Sequence, residues 1–225
     1  MKYINIIFLL LSIGLFSSCR QTSNHKTVWA EYNIDSTDFK IDGFKPFPFD
    51  KRKFVRDREV GKIIPNISYK YWELVLKDDF DSNSRGSIVV YKGDSLNYAK
   101  YAHQINSDFG FFHECQPDIC ISYIVGVKDK GVTDLIDTES KFKSFIGKVD
   151  NLEEVILIAN LNRYHYDSDS IIGGGYKERK DDYLLYLLNY TSGIYKSVRA
   201  ILTKKGEFRF IDEKTYKMKI DNTII

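Results

Sequence analysis

The chain holds 225 residues, 43% hydrophobic and 28% charged, a balance that excludes disordered, collagenous and multi-span membrane chains. Lys+Arg 33 against Asp+Glu 31 leaves a formal charge of +2, too little for a committed nucleic-acid binder. Three cysteines exclude a disulfide-knit miniprotein, and the length admits one or two domains with a real core.

The first element is an address. Lys2 precedes an apolar stretch from Ile4 to Phe16, interrupted by Asn5, Ser12 and Gly14, and Ser17 and Ser18 then stand before Cys19. So short a stretch suits a secretion signal better than a membrane span, which needs about 20 apolar residues. Phe16-Ser17-Ser18-Cys19 resembles the lipobox of bacterial lipoproteins, with Phe16 where Leu is commoner. The resemblance implies diacylglycerol on the Cys19 thiol, cleavage after Ser18, acylation of the new amine and, with Arg20 following, placement at the outer membrane. Residues 20–27 (RQTSNHKT) are polar and without hydrophobic period, which reads as a tether. The expected organisation is a signal peptide over 1–18 and a lipidated N-terminus and tether over 19–30. A strand-rich half over 31–130 and an α+β half over 131–225 follow, and the two halves are able to form one domain.

Within the body, Phe44 to Phe49 (FKPFPF) reads as an extended segment docked on the core. The bases Lys51, Arg52, Lys53, Arg56 and Arg58 follow it, interleaved with Asp50, Asp57 and Glu59 as on a solvated face, with contact to anionic lipid headgroups or a partner protein as the alternative. Trp72, Leu74 and Leu76 alternate as in a strand, while Ile67, Tyr71, Leu74 and Val75 keep helical spacing, so both readings stay open there. Ser87 to Tyr91 (SIVVY) reads as a buried strand, and Tyr98, Tyr101, Ala102 and Ile105 as a short amphipathic helix. Ile119 to Val127 alternates as a strand, and the charged run Lys128 to Gly131 closes it as the seam between the halves.

In the second half, Phe142, Phe145, Ile146 and Val149 form one helical stripe. Asp150 and Glu153 have the spacing of a capping box for a second helix, which carries Leu152, Val155, Ile156 and Ala159 inward. Gly173 to Gly175 breaks the chain. Tyr183 to Tyr190 is apolar on both faces, as in a central strand. Ser192-Gly193 turns it into Tyr195 to Leu202, and Lys205-Gly206 into Glu207 to Ile211. Tyr216, Met218 and Ile220 then suggest a fourth strand. A helix pair followed by an antiparallel β-meander makes the fold class α+β. Three segments between Phe145 and Tyr216 (FIGKVDNLEEVILIANLNRY, GGGYK and KKGEFRF) are similar to uncharacterised secreted or lipoprotein sequences of Bacteroidota. That similarity implies a shared fold and no chemistry.

Four patterns touch on chemistry. Gly93-Asp94-Ser95-Leu96 resembles the nucleophile block of GDSL-type esterases, which implies Ser95 as nucleophile on a parallel α/β sheet. That family's Asp-x-x-His pair has no counterpart, because Thr22, Lys100, Gly110 and Asn162 stand three before His25, His103, His113 and His165. His113-Glu114-Cys115 with Cys120 holds metal-ligand residue types, but four residues separate the cysteines and one of them is Pro117. In an oxidising compartment a Cys115–Cys120 disulfide is the economical reading, with free thiols and a metal as alternatives. Asp167-Ser168-Asp169-Ser170 lacks the rest of a calcium loop, and the three glycines lead into no Gly-Lys-Ser/Thr helix. No metal and no cofactor is therefore specified. The expected protein is a non-enzymatic binding or structural module attached to the membrane through its lipid, with a protein or glycan partner of unknown identity, and the alternative is an esterase using Ser95.

Overall fold

The alternation at Trp72, Leu74 and Leu76 resolves as a strand, because both its edges are paired and both its faces are covered. The computed structural model describes residues 39–49, 59–78, 85–112, 120–191 and 194–216, all within one compact unit, Asn33–Met218. The signal segment, Cys19, the tether, the basic run, His113 to Cys115 and the Ser192-Gly193 turn lie outside the described residues.

In chain order the strands are β1 (Lys45–Pro46), β2 (Tyr71–Asp78), β3 (Ser87–Gly93), β4 (Cys120–Val127) and β5 (Thr133–Ile136), followed by β6 (Gly175–Glu178), β7 (Asp182–Thr191), β8 (Ile194–Thr203) and β9 (Phe208–Thr215). The helices are α1 (Ser95–Ala102), α2 (Glu139–Ile146), α3 (Leu152–Leu161) and the single turn α4 (Ile171–Gly174). A four-stranded sheet runs β3-β2-β4-β5 and a five-stranded sheet β1-β6-β7-β8-β9, with every pairing antiparallel. This is the expected α+β arrangement; β7 to β9 belong to the expected meander, and β6 adds a strand directly after the glycines read as a break.

In the first sheet β2 and β4 are central. Period 2 sends Tyr71 and Val75 of β2, with Tyr123, Val125 and Val127 of β4, to one face, where they meet Ala102, Tyr98 and Tyr101 of α1. Trp72, Leu74 and Ile124 point the other way into the main core. The helical alternative fails at its first member, since Ile67 stays 42% exposed. Two expectations are corrected in this half. SIVVY forms an edge strand rather than a buried one, with Ile88 and Tyr91 open to solvent, because β3 has a partner only in β2. Lys128 to Gly131 is a turn inside the sheet, because β5 pairs back onto β4. Phe47 and Phe49 are buried while Phe44 lies over Tyr186 with rings 4.8 Å apart, so the docked segment serves both faces of the second sheet.

The main core joins the two halves. It holds Trp72 and Leu74 of β2, Phe142 and Phe145 of α2, Val155 to Ala159 of α3, Leu185 and Leu187 of β7, and Leu202 of β8. Val155 through Ala159 are all buried, so α3 is an internal helix, apolar all round. Its start falls one residue later than the Asp150–Glu153 reading. Asn151 is the cap, accepting from Glu154 N at 2.9 Å, and Glu154 takes Asp150 N at 2.7 Å. The meander is corrected at its end as well. β9 runs unbroken to Thr215 and Tyr216 follows it directly, buried against Ile172 and Leu188, so no turn separates a fourth strand at Tyr216. Met218 and Ile220 lie outside the described residues.

Candidate functional site

Ser95 opens α1. Asp94 is its cap, the side chain accepting from Asn97 N at 3.2 Å and from Asn97 Nδ2 at 2.7 Å. Those two bonds hold the Asp94 carboxyl below the usual carboxylate range. Among the described residues no hydrogen bond joins Ser95 to an imidazole. His103 stands at the far end of the same helix, about 12 Å along its axis at helical rise. The sheet before Ser95 is antiparallel, where the esterase resemblance implies a parallel one.

Cys120 heads β4 at 3% exposure, and Cys115 lies outside the described residues. Among the described residues no group of three or more His, Cys, Asp or Glu side chains could hold a metal ion. The Asp167 loop is tied within the fold. Asp167 Oδ1 accepts from Asp169 N at 3.0 Å, and Oδ2 from the Tyr216 hydroxyl at 2.9 Å. Burial, with the Asp167 carboxylate beside it, pushes the Tyr216 phenol up to about 12. The glycines answer to packing. Gly173 and Gly174 belong to α4 and Gly175 opens β6, and a Cβ on Gly174 would stand 2.2 Å from the Asp167 carbonyl oxygen.

Among the described residues, sequence reasoning missed one buried polar cluster. Glu73, 0% exposed, projects from β2 toward α1 on the face shared with Tyr71 and Val75. The Tyr71 hydroxyl donates to Glu73 Oε2 at 2.5 Å and the Arg85 guanidinium donates to Oε1. His103 Nε2 stands 3.4 Å from Oε2. Arg85 also donates to the carbonyls of Ile105 at 3.0 Å and Ala102 at 3.2 Å, and its own carbonyl accepts the Tyr123 hydroxyl at 2.9 Å. Burial raises the Tyr71 phenol, with Arg85 opposing, and burial lowers Arg85. Burial and then the Arg85 charge lower His103, which keeps its imidazole neutral at pH 7.

Further along the same strand face Lys77, 2% exposed, donates to Ser107 O at 3.1 Å and pairs with Asp108 at 2.7 Å. Chemically these groups fasten. Both Glu73 oxygens are engaged by Tyr71 and Arg85, so the carboxylate clamps α1 and the segment after it onto the sheet. Lys77 does the same for residues 107–108. The signal was present: Glu73 and Lys77 are charges within a strand whose neighbours Trp72, Leu74 and Val75 are all apolar, and such charges need partners from elsewhere. Comparison with protein-family profiles, with curated proteins and with solved structures finds no match.

Proposed function

We propose that the chain is a lipid-anchored protein of the bacterial cell envelope, attached through Cys19 at the outer membrane, and that its folded part is a non-enzymatic binding or structural module. The observation that carries this is the N-terminal order of Lys2, the apolar stretch Ile4 to Phe16, two small residues and Cys19. Two or three acyl chains hold a protein stably on a bilayer where one holds it marginally. The non-enzymatic reading is supported by Ser95, whose place at the first turn of α1 beside the Asp94 cap is that of a helix start. A Cys115–Cys120 disulfide belongs to the same proposal, since an exported chain meets an oxidising compartment. The partner is a protein or a glycan.

Mass spectrometry of the protein from its native membrane tests the anchor. The expected mature chain begins at Cys19 with acyl mass on that residue, and an intact Met1 with unmodified Cys19 overturns it. Incubation with p-nitrophenyl esters tests the module; Ser95-dependent turnover would replace it with a hydrolase.

A further inference from the structure

The layer over the first sheet holds its most exposed apolar side chains away from the core. Leu96 in the first turn of α1 is 95% exposed and Phe109, thirteen residues on in the segment that follows α1, is 71% exposed. Neither position is loosely held. Asp94 caps the helix beneath Leu96, while Ser107 Oγ accepts Phe109 N at 3.1 Å and the Ser107 carbonyl is fixed by buried Lys77. Leu96 belongs to the α1 side of the sheet, where Tyr98, Ala102 and then Ile105 pack, and the stretch leading to Phe109 is held to that face at Ser107 and Asp108 by Lys77.

The charge around them is asymmetric. Lys92, Lys100 and Lys130 are exposed and form no ion pair with a described residue, whereas Asp108 is paired with Lys77 and Asp129 with Lys70; Asp94, hydrogen-bonded to the neutral Asn97, is an exposed acid set against these three lysines. Lys130 joins this side because the turn approaches α1 closely; a Cβ on Gly131 would meet the Tyr101 ring at 2.6 Å. Exposed Leu and Phe on a firm scaffold, flanked by unpaired lysines, match an anionic bilayer surface. The apolar tips enter the headgroup boundary and the ammonium groups meet lipid phosphates. We infer that the α1 layer rests on an anionic lipid surface through Leu96 and Phe109, with Lys92, Lys100 and Lys130 contacting headgroups. The inference rests on the lipid-anchored reading above, which brings this layer within reach of a bilayer.

The test places tryptophan at Leu96 or Phe109 of the full chain, with Ile194→Trp as control, a 51% exposed site on β8 of the other sheet. Each variant is mixed with phosphatidylglycerol vesicles whose acyl chains are brominated, and with phosphatidylcholine vesicles. The expected result is a blue shift and at least about twofold more quenching at 96 and 109 than at 194, reduced in phosphatidylcholine and by salt. Equal quenching at all three positions overturns the inference, as does binding of these side chains by a protein partner only. Mass analysis of Cys19 in the same preparation separates the two readings. A lipidated protein with silent probes loses the docking face and keeps the anchor; quenched probes on an unmodified Cys19 keep the face and lose the anchor.

Discussion

Glu73 is a carboxylate with no access to water whose partners come from three separate stretches of chain: Tyr71 two residues back, Arg85 before β3, and His103 after α1. Removing one member of such a pair leaves the other charge uncompensated, so Glu73→Ala is expected to cost about 3 kcal/mol, read from the urea midpoint. Replacing Glu73 by Gln and Arg85 by Met together is expected to cost less than the two single changes summed. Glu154 gives a pH signature. Burial raises its carboxyl above the ordinary glutamate value, although Ile64 N and Asp150 N both donate to it. The folded pKa lies above the unfolded one, so the stability tied to the protonated form is full below the unfolded pKa. It is lost as pH rises through the folded value. The stability difference between the natural chain and Glu154→Gln is therefore expected to shrink from about pH 4 upward, measured by thermal melts across that range. The sequence reading takes Asp150 with Glu153 as the capping box, whereas the structure caps the helix with Asn151 and Glu154, the second pair spaced alike. The second forms because Glu154 also receives Ile64 N, a contact 90 residues distant that no window around the helix contains.

Among the elements, α2, α3, β7 and β8 were legible because each carries a pattern of its own: helical stripes for α2 and α3, an apolar run for β7, and the alternation of Val198, Ala200 and Leu202 for β8. Edge or centre was not legible. Ser87 to Tyr91 is as apolar as many buried strands, and only the sheet order makes it an edge. The β2 ambiguity had the same origin, since one stretch fits two periods and pairing on both sides decides between them. The three glycines illustrate a feature visible in sequence for a reason that was hidden. Gly174 is required because the Asp167 backbone passes against it, and Gly174→Ala is expected to cost about 3 kcal/mol. A drop in melting temperature would check this, together with loss of hydrogen-exchange protection at Asp167 N, which donates to the Gly173 carbonyl at 3.0 Å.

For the whole molecule the α+β class could be read from the order of elements, while the union of the halves could not, because it depends on contacts among residues far apart in sequence. Leu74 of the first sheet and Leu185 of the second, both 0% exposed, line one core. Truncating either to Ala is expected to cost about 2–5 kcal/mol and to shift a single unfolding transition. Coincident near-ultraviolet and far-ultraviolet melts for both variants would agree with this, and a transition confined to one sheet would count against a shared core. The Glu73 cluster escaped the sequence reading for the same reason: its charges are ordinary along the chain and become a cluster when α1 folds over β2.

The docked segment from Phe39 to Phe49 carries a mechanical consequence. If the protein is tethered by its leading end, any pull reaches this segment before the meander beyond it. There the chain is attached by the two-residue pairing of Lys45 and Pro46 with Tyr176 and Gly175, by Phe47 N on the Gly174 carbonyl, and by the rings of Phe47 and Phe49. A tug of sufficient force would draw those rings out and leave β6 as a bare edge while β7 to β9 stay zipped. The segment would then act as a fuse that yields first under load.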